Sequence, residues 1–211
     1  CGRQGVKAAV VISAGCKETG EEGRARELAL LGCANRFGMR LVGPNCLGVL
    51  NTEGHIQLDA TFAPVYPPQG HVAFSSQSGA LGLAILGYAA QLNIGISHFI
   101  SVGNKADVSG NDLVEYWESD EGTRVILLYL ESFGNPRRFL EIARRVSRHK
   151  PIAVVKSGRT RAGMRAAASH TGSLAGPDAA VDALCRQAGV IRTDTIEQLF
   201  DIAMLVANQP I

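Results

Sequence analysis

From residue 71 onward, continuous apolar runs alternate with segments of helical spacing, and this alternation constrains the fold more than any other feature. The apolar runs are His71–Ser75, Ile96–Val102, Arg124–Leu130 and Ile152–Lys156. A sheet with one face in water alternates apolar and polar residues, whereas a parallel sheet covered on both faces carries unbroken apolar strands. The pattern therefore predicts an α/β fold built on a doubly wound parallel sheet.

The segments between and after these runs complete the predicted fold. Helical spacing is present at Leu81–Gln91, Asp112–Glu118 and Pro136–Arg148. A basic, Ala/Gly-rich loop over residues 156–176 follows the fourth strand, and the remaining elements are a helix near Asp178–Ala188, a strand at Val190–Arg192 and a closing helix from Ile196. We interpret residues 55–211 as one flavodoxin-like domain.

The first fifty residues form a separate pattern, in which a short β-branched run at Lys7–Ser13 precedes a helical segment, Glu21–Phe37, and a second extended run that begins at Arg40. This βαβ unit lacks a preceding strand with a glycine-rich turn, so we expect the chain to begin partway through a Rossmann-like domain. Periodicity disappears between Asn51 and Gly70. We therefore predict two domains, 1–54 and 55–211.

Composition excludes several classes of protein. A net charge of +2 predicts neither a nucleic-acid nor a membrane partner. The longest apolar stretch, Ala80–Ala90, is about half the length needed to cross a bilayer. The five cysteines are widely spaced, without a CxxC pair or Cys/His cluster, so we expect reduced thiols and no structural metal. The first residues of the sequence show no charged region followed by an apolar run and a cleavage site, so a cytoplasmic location is expected.

Ligands of open parallel sheets collect where the strands end, so the polar residues that follow each strand are the candidates for binding. Ser76-Gln77-Ser78-Gly79-Ala80 leads from the first of these strands into a helix, where backbone N–H groups and the helix dipole attract an anion. This segment is a candidate phosphate site. From spacing alone, capping of the helix by Ser78 is the commoner explanation.

Glu131 and His170 are the candidates for chemistry. Glu131 directly follows the strand Arg124–Leu130, where a carboxylate either points into the ligand crevice or is a solvated strand end. His170 lies in the small-residue segment 166–176. In the sequence this segment follows the basic residues Lys156, Arg159, Arg161 and Arg165. A carboxylate that accepts from one imidazole nitrogen fixes the tautomer and leaves the other nitrogen nucleophilic, so Glu131 is a natural partner for His170.

Four segments occur in the order found in one enzyme family: Val42-Gly43-Pro44-Asn45-Cys46-Leu47-Gly48, Ser76-Gln77-Ser78-Gly79-Ala80-Leu81, Gly103-Asn104-Lys105-Ala106-Asp107 and Ser169-His170-Thr171-Gly172-Ser173. In these segments the chain resembles NDP-forming acyl-CoA synthetases, which are related to the succinyl-CoA synthetase α subunit. The resemblance covers nearly the whole chain. It identifies residues 1–54 as the end of a CoA-binding domain and 55–211 as a succinyl-CoA-ligase-type domain.

The resemblance implies a reversible reaction in which acyl-CoA, phosphate and ADP give a carboxylic acid, coenzyme A and ATP. It implies that His170 carries phosphate and Glu131 orients it. The implied phosphate contacts are Ser76, Gln77, Ser78, Gly79, Ala80, Gly172 and Ser173, and the implied CoA-side or substrate contacts are Asn45, Cys46, Asn104 and Lys105. ATP or ADP with magnesium would bind an ATP-grasp domain or β subunit, which this chain lacks, and an oligomer is expected.

Two alternatives stay open. Similar regions are fused to protein acetyltransferases, which makes a non-catalytic acyl-CoA-sensing region the second hypothesis. A flavodoxin-like scaffold for another phosphorylated ligand is the third, since a fold does not fix chemistry. Flavin is disfavoured because residues 75–80 contain neither Trp nor Tyr to sandwich its ring. The sequence leaves open the acyl group and the choice between ADP and GDP.

Overall fold

The computed structural model describes residues 1–158, 178–207 and 209, and within these residues the strands form two sheets. The smaller sheet pairs β1 (Ala8–Val10) with β2 (Arg40–Val42) in parallel, and α1 (Glu21–Arg36) connects them. The larger sheet contains β3 (Gly48–Asn51), β4 (Leu58–Thr61), β5 (Gln69–Ser76), β6 (Ile96–Ser101), β7 (Val125–Leu130), β8 (Ile152–Lys156) and β9 (Ile191–Thr193). The other helices are α2 (Gly79–Gln91), α3 (Gly110–Ser119), α4 (Pro136–Val146), α5 (Asp178–Ala188) and α6 (Ile196–Ala207).

The larger sheet has the order β4-β3-β6-β5-β7-β8-β9. Its last five strands are parallel, and in chain order they are arranged 2-1-3-4-5, the order of flavodoxin-like folds. The chain order reverses between β5 and β7, and a crevice forms outside the carboxyl ends of the strands at such a point. The predicted doubly wound, flavodoxin-like α/β fold is confirmed.

Two hydrophobic cores cover the two faces of this sheet, which explains the unbroken apolar strands. On one face α3, α4 and α5 pack through residues such as Trp117, Phe139 and Val181. On the other, α2 and α6 contribute to a core in which the ring of Phe74 lies 6.0 Å from the rings of both Phe99 and Phe200. Because β7 and β8 are buried on both sides, neither strand shows an alternating pattern.

Strands β3 and β4 are absent from the sequence prediction. They pair with each other in an antiparallel arrangement, and β3 pairs antiparallel with β6. β4 forms the edge of the sheet and its residues are largely exposed, so it lacks an apolar run that would reveal it. The larger sheet therefore includes residues on both sides of position 54. The division of the chain into domains at that position stays a prediction.

The N-terminal unit, which contains β1, α1 and β2, is held to the larger sheet at the segment that follows β6. The backbone N–H groups of Asn104 and Ala106 donate to the carbonyls of Pro44 and Gly43 over 2.9 and 3.1 Å. A Cβ at Gly103 would lie 2.2 Å from the Pro44 oxygen, so the two segments approach this closely only because position 103 is glycine. The Gly-Pro-Asn and Gly-Asn-Lys motifs are thereby brought into contact. In the described part of the chain, no helix is long and apolar enough to cross a membrane.

Candidate active site

A cleft of about 560 Å³ lies at the carboxyl ends of the strands, between the N-terminal unit and the start of α2. It is lined by the predicted site residues Asn45, Cys46, Gln77, Ser78, Gly79, Ala80, Asn104 and Glu131. These residues come from four separate segments of the chain. The fold therefore collects at one place the motifs that the sequence analysis singled out, as expected for the crevice of an open parallel sheet.

The start of α2 offers backbone rather than side-chain groups to this cleft. The Ser78 hydroxyl caps the helix by accepting from the Leu81 N–H over 3.3 Å, and the buried Ser76 hydroxyl donates to the Ser78 carbonyl over 2.7 Å. Within residues 1–158 and 178–207, no acceptor takes the N–H groups of Gly79 and Ala80. These N–H groups and the helix dipole are suited to an anion.

Gln77 connects β5 to β7 at the point where the chain order reverses. Its backbone N–H donates to the Tyr129 carbonyl over 3.0 Å. Its side-chain carbonyl accepts from the N–H of Glu131 at 2.9 Å, from the N–H of Ser132 at 3.0 Å and from the ammonium of Lys105 at 3.0 Å. The oxygen of Gln77 is therefore turned toward the segment that carries Glu131. Its role as a phosphate contact stays a prediction.

Lys105 is a half-buried cation behind the cleft, and it is not among the residues that line it. Besides Gln77, its ammonium donates to the carbonyl and the hydroxyl of Ser132, over 2.8 and 2.9 Å. Burial lowers the pKa of Lys105 to about 8, with Lys17 and Lys156 acting in the same direction and Glu131 opposing them. The structure thus places Lys105 against the segment after β7, and its predicted contact with CoA stays untested.

Glu131 lines the cleft immediately after β7 and is only 8% exposed. Its negative charge favours the ammonium forms of two nearby lysines, Lys105 and Lys156. Burial is the main cause that lowers the pKa of Lys156, and Arg192 lowers it further. A buried carboxylate between two lysines whose charge is destabilised is an arrangement typical of functional sites.

Asn104 joins the cleft to the N-terminal unit. Its amide nitrogen donates to the carboxylates of Glu18 and Glu27, over 2.6 and 2.8 Å, and its amide oxygen accepts from Asn45 over 3.4 Å. The ammonium of Lys17 donates to the Asn104 carbonyl. Both predicted asparagines, Asn45 and Asn104, therefore belong to one network that borders the cleft.

Glu18 lines the cleft but was not predicted as a site residue. Burial alone would raise the pKa of this carboxyl, yet hydrogen bonds from Asn104 and from the N–H groups of Gly15 and Cys16 lower it. A signal was present in the sequence, because Glu18 lies in the loop that follows the first predicted strand. The rule applied to the strands after residue 71 would have selected that loop.

The Cys46 thiol is a buried group, and its contacts favour packing over chemistry. The side chain is 4% exposed, and its thiol donates to the Val11 carbonyl over 3.4 Å. Burial raises the pKa of Cys46 to about 11, so the thiol keeps its proton near neutral pH. A nucleophilic cysteine instead requires a lowered pKa.

His170, Gly172 and Ser173 lie outside the described residues, as do Arg159, Arg161 and Arg165. The last described residues before them follow β8, which pairs with β7 in parallel. Ser157 and Gly158, which directly follow β8, therefore lie at the same edge of the sheet as Glu131. Lys156, at the end of β8, is buried there.

A family model described as the succinyl-CoA-ligase-like flavodoxin domain matches residues 69–206. The acetate–CoA ligase (ADP-forming) of Methanocaldococcus jannaschii is 49% identical over 213 aligned positions, which cover 100% of this chain and 29% of that protein. The subunit alpha of acetate–CoA ligase (ADP-forming) I of Pyrococcus furiosus is 48% identical and is matched over 100% of this chain and 45% of its own length.

The solved structures include a closely similar protein. The dinucleotide-forming acetyl-coenzyme A synthetase 1 of Candidatus Korarchaeum cryptofilum, in complex with phosphate and ADP, superposes with a TM-score of 0.93 at 46% identity. The alignment covers 100% of this chain and 45% of that one. This chain therefore spans less than half the length of each of these three proteins.

Proposed function

The chain belongs to the family of succinyl-CoA-ligase-like flavodoxin domains, and we propose that it is the phosphohistidine-bearing part of an ADP-forming acyl-CoA synthetase. The observation that carries the proposal is the cleft at the carboxyl edge, where the start of α2 and the buried Glu131 border one space. An anion held by the N–H groups of α2 would lie beside the carboxylate assigned to orient His170.

The proposed reaction runs through two covalent intermediates. Phosphate attacks the carbonyl of the acyl-CoA thioester, coenzyme A leaves as the thiol, and an acyl phosphate forms. A nitrogen of His170 then attacks phosphorus, and the carboxylic acid leaves as its anion. The phosphoryl group finally passes to ADP. Glu131 accepts from the other ring nitrogen, which keeps the attacking nitrogen unprotonated and nucleophilic.

The residues around the cleft divide this work. We assign phosphate to the N–H groups of Gly79 and Ala80, with Ser76 and Ser78 shaping the turn that presents them. We assign the CoA side to the Asn45 and Asn104 network, since this is where the N-terminal unit meets the cleft. Cys46 is a packing residue in this assignment, because its thiol is buried and protonated.

In our proposal, ADP or ATP binds to a domain or subunit outside this chain. The P. furiosus relative is named as a subunit alpha, which supports a partner subunit or an attached domain that binds ADP or ATP with magnesium. The proposal includes an ATP-grasp fold for that part, an oligomer and a cytoplasmic location, which the five free cysteines favour. The alternative, an acyl-CoA-sensing region of an acetyltransferase, gains no support from the relatives, which are named as ligases and a synthetase.

Phosphorylation of the complete protein tests this function. We expect the protein that contains this region, supplied with ATP and magnesium, to acquire one phosphoryl group on His170. The label should be labile in acid and stable in base, because phosphohistidine is a phosphoramidate. The His170→Ala protein should acquire none, whereas a control at the exposed His149, His149→Ala, should be labelled normally. An acid-stable label, or a label that persists in His170→Ala, would move the chemistry to another residue.

A further inference from the structure

We propose that Gln77 and Lys105 are positioning residues for Glu131, rather than direct contacts for phosphate and coenzyme A. The inference rests on the proposed function, since it concerns the carboxylate that orients His170. It follows from the hydrogen bonds that these two side chains already make and from the segments they join.

The side-chain oxygen of Gln77 is fully occupied. It accepts from the N–H groups of Glu131 and Ser132 and from the ammonium of Lys105, all at 2.9 to 3.0 Å. An amide oxygen has two lone pairs, so three donors exhaust its capacity. Glu131 and Ser132 are the first two residues after β7, and Gln77 is the first residue after β5. The side chain of Gln77, at the end of β5, therefore fixes the path of the chain as it leaves the neighbouring strand β7.

Lys105 completes the same network from a third strand. Its three ammonium protons are used by the Gln77 oxygen and by the carbonyl and hydroxyl of Ser132. Lys105 itself lies in the left-handed region, with φ of 56°, in the turn after β6. The charged groups that face it are Glu131, Lys17 and Lys156. The network thus joins the carboxyl ends of β6, β5 and β7 at the point where the chain order reverses.

Loss of the Gln77 carbonyl would leave two N–H groups and the half-buried ammonium of Lys105 without this acceptor. Leaving a buried donor without a partner is energetically costly, so the segment after β7 would move to satisfy its N–H groups. Glu131 begins that segment, and its carboxylate would shift relative to His170. A displacement of about 1 Å in a group that sets catalytic geometry can cost on the order of 10²-fold in rate.

Acetyl phosphate labelled at phosphorus tests the inference on the complete protein that contains this region. In the transfer, the N–P bond to His170 forms, the P–O bond to the acetyl group breaks, and acetate leaves with the electron pair. The proton of the other ring nitrogen passes to Glu131 and on to solvent. We compare Gln77→Met with Gln69→Met, a matched substitution at the exposed start of the same strand. Circular dichroism verifies that each variant is folded.

A positioning role and a phosphate contact predict different kinetics. We expect Gln77→Met to lower the maximal labelling rate by about tenfold or more, with the half-saturating acetyl phosphate concentration unchanged. Gln69→Met should match the wild type, and Gln77→Glu, which keeps an acceptor, should retain most of the rate. A raised half-saturating concentration with an unchanged maximal rate would instead make Gln77 a phosphate contact and overturn the inference.

The Lys105→Met variant tests the proposal independently, even if Gln77→Met does not fold. We expect Lys105→Met to lower the maximal rate, with Lys7→Met at an exposed position as its control. The wild-type rate should also fall as the pH rises through about 8, where the Lys105 ammonium loses its proton, and the Lys105→Met rate should not. Equal pH profiles would overturn the role of Lys105.

The two proposals fail in distinguishable ways. If the wild type acquires no label from acetyl phosphate, the same variants are compared with ATP as the donor. Absence of label from both donors removes the proposed function. Normal labelling of the wild type together with normal maximal rates for Gln77→Met and Lys105→Met removes the positioning roles alone.

Discussion

The two ends of the larger sheet both bury polar and charged side chains, but they differ in what those side chains are available to do. At the carboxyl end, Glu131 and the N–H groups of α2 face an open cleft of about 560 Å³. At the amino end, His98 lies in β6 beside Asp120 and Glu53, and its side chain is 6% exposed. Burial of a polar group therefore does not by itself mark a functional site in this fold.

Hydrogen bonds within the amino-end cluster fix the orientation of Asn51 and the tautomer of His98. The Glu53 N–H donates to the Asn51 amide oxygen over 2.8 Å, which turns the Asn51 amide nitrogen toward Nε2 of His98 at 2.9 Å. Nε2 must then accept, so this network assigns the proton of neutral His98 to Nδ1. Nδ1 faces the Thr123 hydroxyl at 3.5 Å and the Asp120 carboxylate at 3.8 Å.

This tautomer matters because Glu53, His98 and Asp120 otherwise resemble a metal site. Their ligand atoms all lie within 4.8 Å of one another. A metal-bound imidazole needs an unprotonated nitrogen for the ion, yet here one nitrogen accepts from Asn51 and the other carries the proton. The cluster is therefore better suited to a neutral, hydrogen-bonded role. The comparison teaches that the direction of each donor and acceptor separates a site from a structural cluster.

The largest effect should come from replacing a carboxylate by an amide at each end of the sheet, Glu131 at the carboxyl end and Asp120 at the amino end. We predict that Glu131→Gln lowers the rate of His170 phosphorylation about 10²-fold or more, because the histidine tautomer is no longer fixed. Asp120→Asn, the matched change at the amino end, should leave this rate within about twofold. Rates are measured from incorporation of labelled phosphate in the complete protein. Equal rates for the two variants would make Glu131 a bystander and end the distinction between the two ends.

Burial also explains how much of the fold and of the candidate site could be predicted from the sequence. The strands β7 and β8 are predictable because their unbroken apolar runs are buried on both faces, and their parallel pairing brings Glu131 and Lys156 to one edge of the sheet. Strand β4 is exposed at the edge of the sheet and left no pattern. The bond from Asn104 to Glu18 joins residues 86 positions apart, and a single sequence gives no signal for such a pair. The sequence predicts Gln77 as a phosphate contact from its position alone, whereas the direction of its side-chain oxygen, toward the N–H groups of Glu131 and Ser132, depends on the fold.

An intermediate effect should appear at the amino end as a dependence of stability on pH. Burial is the main cause that lowers the pKa of His98, and Asp120 and Glu53 oppose it. The folded state therefore binds fewer protons than the unfolded state below about pH 6.5, the ordinary pKa of histidine. The stabilisation is fully present above that pH and is lost as the pH falls toward the folded-state pKa. The slope due to this one group cannot exceed about 1.4 kcal/mol per pH unit, the limit for a difference of one bound proton.

Urea unfolding between pH 5 and 8 measures this dependence. Below about pH 6.5, the free energy of unfolding should decrease with decreasing pH more steeply for the wild type than for His98→Gln. The His149→Gln protein, changed at an exposed histidine, should follow the wild type. A wild-type slope identical to that of His98→Gln would mean that His98 is not held neutral, and the description of the amino end as a neutral, hydrogen-bonded cluster would be wrong.

The smallest effect is expected inside the carboxyl-end cleft itself, at Cys46. This residue lines the cleft, but its thiol donates to the Val11 carbonyl and has a pKa of about 11. We predict that Cys46→Ala changes the rate of His170 phosphorylation by less than about twofold and lowers stability by about 1 kcal/mol, the order expected for one lost buried group.

Iodoacetamide at pH 7.5 should modify the exposed Cys33 well before Cys46. Cys185, which is buried and also has a pKa of about 11, is the matched control and should react as slowly as Cys46. Rapid modification of Cys46, or loss of phosphorylation in Cys46→Ala, would show that the thiol takes part in the chemistry. A slow reaction and a normal rate would show that, even at the carboxyl end, a residue must present an available donor or acceptor to take part in the function.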